Sequence, residues 1–354
     1  MPAASRRAAG RRRPQPLGAL VGGGQPGHAR GALNAPLPER LERPGFEQVW
    51  RVPCAGGVAF VAVHAALDGR AFGGIRIRAY PDERGALDDA LALARAMSAK
   101  LVLADIRGGG AKSVLMLPPG QRAAAVAALG AFIQSLRGLY NCGPDLGFTA
   151  DDDVVLREQT EYVAPAGMSD ATAAGVESAL RAASPEPGRV AVQGLGTVGL
   201  PLARSLTSAG VDVVAADLRP QDELRSVAPE QIHRQAVDVF APCALGGVLN
   251  AETIPELRCR VICGGANNPL ASAADGLALQ RRGIVLVPDV LSTSAAAIVG
   301  ASTILGQQDR IPERLAAIGP RVVELLARAR AADLPPCEQA ARMAQQRLQA
   351  MRAG

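Results

Sequence analysis

Residues 189–199 read RVAVQGLGTVG, a short apolar run followed at once by three spaced glycines, Gly194, Gly196 and Gly199. The run has the length and β-branched content of a buried strand, and the segment to about residue 208 continues with helical spacing. Glycines in this GxGxxG pattern have separate physical jobs. The first permits a tight turn, the second lets backbone approach a pyrophosphate, and the third lets the helix pack close to the sheet. The unsatisfied N–H groups at the helix start, those of Thr197 and Val198 among them, then face phosphate charge. A second strand over residues 211–216 (VDVVAA) ends at Asp217, 23 positions beyond Gly194. A carboxylate there accepts hydrogen bonds from an adenosine ribose and repels a 2′-phosphate, so NAD is expected over NADP. Arg219, two residues on, softens that preference.

Working outward, residues 237–241, 260–263 and 284–287 are further short apolar strands separated by helical segments. Alternation of this kind predicts an α/β protein with a doubly wound parallel sheet, a Rossmann domain over residues 166–310. Upstream, residues 58–65 (VAFVAVHA) read as a strand. Leu87, Leu91, Ala94 and Met97 recur at helical spacing from residue 82. A strand is expected over residues 101–106, then a glycine turn at 108–110 and an Ala-rich helix to about residue 136. These elements define a separate α/β domain over residues 45–165, with a cleft between the two domains. Residues 311–354 are helical and are expected to pack back on the first domain.

At 354 residues two domains are the natural reading. The formal charge of +5 resides in the N-terminal segment, where residues 1–43 hold eight Arg against two Glu. Residues 1–44 are therefore read as a basic, disordered extension. The remainder has no basic excess, which argues against nucleic-acid binding. No apolar run reaches membrane-spanning length. Six cysteines without a CxxC pair, and only three histidines, argue for buried thiols rather than a metal site, in a cytoplasmic protein.

Lys100 and Lys112 lie inside the otherwise apolar stretch from Met97 to Leu117. A lysine desolvated beside a second cation has a depressed pKa and works as an acid or base near neutrality. The GGGAKS segment is not a phosphate-binding P-loop, because Ala111 and Ile106 occupy positions that loop requires as glycine. Asp145 follows Asn-Cys-Gly-Pro and precedes Leu-Gly; taken alone, an Asp at such a Gly/Pro turn reads as a turn former.

At these residues the chain resembles the glutamate/leucine/phenylalanine/valine dehydrogenase family, nearest its leucine and phenylalanine branch. The resemblance rests on FGGIRIRAY (72–80), AMSAKLVLADIRGGGAKSVL (96–115), YNCGPDLG (140–147), ATAAGV (171–176), VAVQGLGTVG (190–199), DVFAPCALGGVLN (238–250) and GGANNPL (264–270). It implies an NAD-dependent oxidative deaminase of an apolar, branched-chain or aromatic L-amino acid, and a homo-oligomer assembled through the substrate domain. Carried over by position, Lys112 and Asp145 are catalytic and Lys100 binds the substrate carboxylate. Gly73, Gly74 and Met97 line the substrate pocket; Thr172, Ala266, Asn267 and Asn268 run along the cofactor.

The chain departs from the family where Asn-Ala-Gly-Gly follows a Pro-Asp pair. After Pro288 and Asp289, Thr293 stands in place of the Asn, and Ala295 and Ala296 in place of the glycines. A threonine there offers a shorter donor and acceptor toward substrate. Gly143 replaces the alanine of leucine-type members and enlarges the expected pocket. Two rival readings follow from the departure: an NAD-binding relative that acts as a sensor or partner subunit, and a dehydrogenase for a non-standard amino acid.

Overall fold

The computed structural model describes residues 37–117, 120–165, 167–219 and 221–354, so most of the basic arm lies outside the described residues. Residues 37–44, read from sequence as part of that arm, instead enter the first sheet. Strand β1 (Glu39–Arg40) pairs antiparallel with β2 (Gln48–Cys54), and Leu41 donates its N–H to Val49 and packs beside Phe46. The edge strand satisfies backbone groups that composition alone says nothing about.

The first sheet runs in the order β1, β2, β3 (Gly57–Val63), β6 (Gly109–Met116), β4 (Ala71–Phe72), β7 (Tyr140–Asn141), with β5 (Ile75–Ile77) also parallel to β6. Period-two alternation divides β3 between two cores. Val58, Phe60 and Ala62 face helix α1 (Glu83–Leu103), whereas Ala59, Val61 and Val63 face the layer that contains α2 (Arg122–Ser135) and α3 (Ala150–Gln159). Asp82 caps α1 by accepting the Gly85 N–H at 2.8 Å.

The strand expected over residues 101–106 is absent. Helix α1 continues through Leu103, and Leu101, Val102 and Leu103 are all buried. The helix is enclosed by β6 on one side and by α11 (Pro336–Ala353) on the other, so its last turn is buried all round, with Lys100 its one charged residue. Such a run has no amphipathic period and cannot be distinguished from a buried strand by sequence. Gly110 permits the close approach of helix and strand: a Cβ there would lie 2.1 Å from the Ser98 nitrogen.

The second sheet is wholly parallel, in the order β10 (Arg225–Ser226), β9 (Asp212–Ala216), β8 (Arg189–Gln193), β11 (Val239–Pro242), β12 (Val261–Ile262), β13 (Val285–Leu286). This is the doubly wound dinucleotide fold, whose topological switch point lies between β8 and β11. Helices α4 (Ser169–Ala183), α5 (Gly199–Ser208) and α6 (Ala273–Arg281) accompany it. After β13 the chain returns toward α1 through α7 (Asp289–Ser292) and α8 (Ala295–Ile304). Following α9 (Ile311–Ala316), α10 (Ile318–Ala331) packs on α4 and α11 on α1.

One apolar core therefore crosses both lobes, joining Leu101 and Leu103 to Val190, Val192, Val322 and Leu348. At the end of α1, Asp105 sits at φ +56° and receives Arg347 at 2.6 Å and Arg321 at 3.0 Å. These pairs anchor the helix that carries Lys100 to the two C-terminal helices.

Candidate active site

Between the lobes lies a pocket of about 230 Å³ whose two ends differ in chemistry. At the charged end, Lys112 projects from β6 and Lys100 from the last turns of α1; they are 5% and 8% exposed. Asp145 follows β7 and meets Lys112 Nζ at 2.9 Å through its Oδ2. Gly74 makes room for that meeting, since a Cβ there would sit 2.9 Å from Lys112 Nζ and 3.1 Å from Asp145 Cβ. Gly73 serves the backbone instead: its Cβ would collide with the Ala111 carbonyl oxygen at 1.7 Å.

Burial drives both lysines toward neutrality. For Lys112, desolvation outweighs the stabilising charge of Asp145, and Arg76 adds to the depression. For Lys100, desolvation outweighs the stabilising charge of Asp289, and Lys112 depresses it further. Burial alone would raise the Asp145 pKa, but the charges of Lys112 and Arg76 reverse this and hold it well below the usual carboxylate range. The site thus holds one carboxylate firmly ionised beside two amines made easier to deprotonate.

Arg76, absent from the sequence-based set, organises this end. Its Nε donates to Asp145 Oδ2 at 2.9 Å and its Nη1 to Asp89 Oδ2 at 3.0 Å, while the Tyr80 hydroxyl donates to the same Asp89 carboxylate. A signal existed: an arginine between Ile75 and Ile77, both buried, is as anomalous as a lysine in an apolar run.

Across the cleft, Lys100 Nζ donates to Asn267 Oδ1 at 2.7 Å, and Asp289 accepts the Asn268 N–H at 3.1 Å. The Asn267 side chain, expected along the cofactor, is thus directed at a substrate-side lysine. Ala266, expected there too, is buried and does not line the pocket; its N–H bonds the Pro242 carbonyl at 2.9 Å. Thr293 lines the pocket, but its hydroxyl donates to the Asp289 carbonyl at 2.7 Å. Its donor is committed to its own helical turn, leaving lone pairs only, which corrects the expectation of a donor toward substrate.

The other end is apolar. Met97, Ala164, Met168, Ala297 and Gly300 line it together with Gly143. A Cβ on Gly143 would touch Ala164 Cβ at 3.3 Å, and one on Gly300 would touch Met168 Sδ at 3.3 Å. Apart from Gly143 and Met97, these residues escaped sequence reasoning, because apolar residues on a helix (Ala297, Gly300) or in the segment before one (Ala164, Met168) read as ordinary packing.

The dinucleotide turn borders the same cleft. Val198 and Thr172 line the pocket, and the Thr172 hydroxyl donates to the Met168 carbonyl at 3.1 Å. Gly194 has φ +90°, and Gly199 is in contact with the turn, since a Cβ there would lie 1.9 Å from the Gly194 oxygen. Gly196 and Thr197 are exposed, and a Cβ on Gly196 would meet nothing within 4 Å, which leaves space for a ligand. Asp217 at the end of β9 accepts the Leu195 N–H at 2.6 Å and the Arg219 N–H at 2.8 Å. These bonds hold its carboxylate at the sheet's carboxyl edge, with its pKa lowered mainly by the Arg219 and Leu195 N–H groups. The turn, the open glycine and the anchored acid fit a dinucleotide.

Fold and site together define a two-domain α/β oxidoreductase with a cationic cleft facing a dinucleotide turn. Residues 54–166 match the Glu/Leu/Phe/Val dehydrogenase dimerisation domain, and residues 216–350 match the glutamate/leucine/phenylalanine/valine dehydrogenase domain. The chain belongs to this family. It is 34% identical over 343 residues to a leucine dehydrogenase of Thermoactinomyces intermedius, covering 88% of this chain and 93% of the relative. It is 35% identical over 344 residues to a valine dehydrogenase of Streptomyces albus, covering 87% and 94%. The crystal structure of L-tryptophan dehydrogenase from Nostoc punctiforme superposes with a TM-score of 0.74 at 31% identity, covering 87% of this chain and 97% of that one.

Proposed function

We propose that the protein catalyses NAD-dependent oxidative deamination of a large apolar L-amino acid, aromatic side chains preferred, to the 2-oxo acid and ammonia. The observation that carries this reading is the convergence of Lys100, Lys112 and Asp145 on one pocket that Val198 of the dinucleotide turn also lines. Lys100, when charged, pairs with the substrate carboxylate. Asp145, held ionised, accepts the amine's hydrogen bond and then its proton, which leaves the nitrogen lone pair free to drive loss of hydride from Cα. The nicotinamide of bound NAD supplies the hydride acceptor; Thr172, Val198 and the Gly194–Gly199 turn would hold it, with Asp217 on the ribose. Lys112, desolvated and easily deprotonated, takes a proton from water as that water attacks the substrate iminium carbon. The carbinolamine then collapses to 2-oxo acid and ammonia.

Side-chain preference follows from the apolar end. Gly143, Ala297 and Gly300 withhold volume there, and among the described residues no charged side chain lines that end to receive a side-chain carboxylate. Relatives named for leucine, valine and phenylalanine, and the tryptophan enzyme, are consistent with such a substrate. All six cysteines are free thiols, in keeping with a reducing cytoplasm. The match of the first lobe to a dimerisation domain supports a homo-oligomer.

The deciding experiment is a panel of L-amino acids with NAD and with NADP, read by formation of the reduced nicotinamide. Turnover of phenylalanine or tryptophan above leucine and valine, with NAD favoured, is expected. NAD binding without turnover of any substrate in either direction would select the second reading, an NAD-binding relative without catalysis. The committed hydroxyl of Thr293 is the observation that favours that alternative.

A further inference from the structure

Behind the active site, on the opposite face of α1, lies a second cavity of about 490 Å³, larger than the pocket between the lobes. Its apolar floor comes from α11, through Ala340, Ala344 and Leu348. Arg95 and Arg352 stand exposed at its rim. Arg95 lies over the Phe46 ring at 4.7 Å and has no acidic partner among the described residues, whereas Arg352 shares Glu47 at 2.9 Å. The Phe46 ring also meets His64 edge-on at 5.3 Å, so both guanidinium groups and the imidazole border one space.

His64 Nδ1 lies 2.8 Å from Ser98 Oγ, which already accepts the Gly110 N–H at 2.8 Å. Burial, followed by the charges of Arg95 and Arg352, pushes His64 down to about 4. The ring is therefore neutral at physiological pH, and a bound anion would draw its pKa back up.

We propose that this cavity is an effector site for a small apolar carboxylate, its anionic head between Arg95 and Arg352 and its body along the Ala340–Ala344–Leu348 floor. Size and lining match small-molecule sites, which are mostly apolar with few polar anchors. The wall shared with the active site supplies the coupling. Ala96 borders both cavities, and Asp289, which borders this one, acts electrostatically on Lys100. An occupant that shifts α1 or Asp289 changes how Lys100 receives the substrate carboxylate.

The probes are octanoate and 3-phenylpropanoate, an alkyl and an aromatic carboxylate that lack the amino or oxo group needed for turnover. Binding is followed by calorimetry and by the His64 imidazole resonance, one of three histidines in the chain. Saturable binding should raise the His64 pKa and leave His233 unmoved. The double variant Arg95→Gln/Arg352→Gln should weaken binding at least about tenfold, the effect expected from losing charge-assisted hydrogen bonds. Ala344→Phe, which fills the floor while keeping both charges, should abolish it. The tighter probe identifies the source of the natural ligand as acyl or aromatic. An unmoved His64, or equal shifts in both variants, would overturn the site. Binding that leaves the amino-acid KM unchanged would overturn the effector role. Because the binding arm needs no turnover, it stands or falls separately from the deamination reading.

Discussion

The two ends of the interlobe pocket are built on opposite principles. The charged end is a network of ion pairs in which Lys112, Arg76, Asp145 and Asp89 fix one another through bonds of 2.9–3.0 Å. The apolar end is defined by missing atoms, at Gly143 and Gly300, so that volume rather than bonding sets its properties. Chemistry and side-chain choice are therefore separable. Changes at the first end should alter turnover for every substrate, and changes at the second should reorder substrates.

The largest test of that division is Lys112→Ala. Loss of a positioned acid–base group should lower kcat by about 10²–10⁴-fold for all substrates alike, while calorimetry shows NAD binding unchanged. Gly300→Val, whose added carbons press on Met168, should lower kcat/KM for aromatic substrates about 10²-fold relative to leucine. A uniform loss across the panel would break the division of labour. Gly143→Ala is milder, because one methyl meets Ala164; a preference shift of about tenfold toward smaller side chains is expected.

Arg76→Lys and Arg76→Gln test the network from the side. Lys112, which must be neutral to take the proton of water, is depressed partly by the Arg76 charge, so removing that charge raises its pKa. An amine with a raised pKa stays protonated to higher pH, and the acid limb of the kcat/KM profile should move upward by about one unit or more in Arg76→Gln. Arg76→Lys keeps the charge and should largely hold the limb in place, which separates electrostatics from packing. The smallest expected effect is Thr293→Asn. It frees a side-chain donor from the Asp289 carbonyl, and within a working site it should alter kcat by only a few fold.

How much of this was legible beforehand varied with range. Asp217, Gly194, Gly196 and Gly199 were readable because each has a local job within a strand, a turn and a helix start. Lys100 and Lys112 stood out as charges in an apolar run. Arg76 carried the same signature inside β5 yet was passed over. The end of α1 was misread as a strand, since burial on every side erases the period that separates helix from strand.

What the linear chain determined by itself was therefore the parallel sheet, the dinucleotide turn and the presence of buried cations, all encoded within a few consecutive residues. Only tertiary structure decided which groups touch. It placed Asp145 between Lys112 and Arg76, Asn267 on Lys100, and Gly143, Ala164 and Gly300 around one void. Those contacts join segments tens to hundreds of residues apart. Distances, desolvation and cavity volume come into being only when the two lobes pack together.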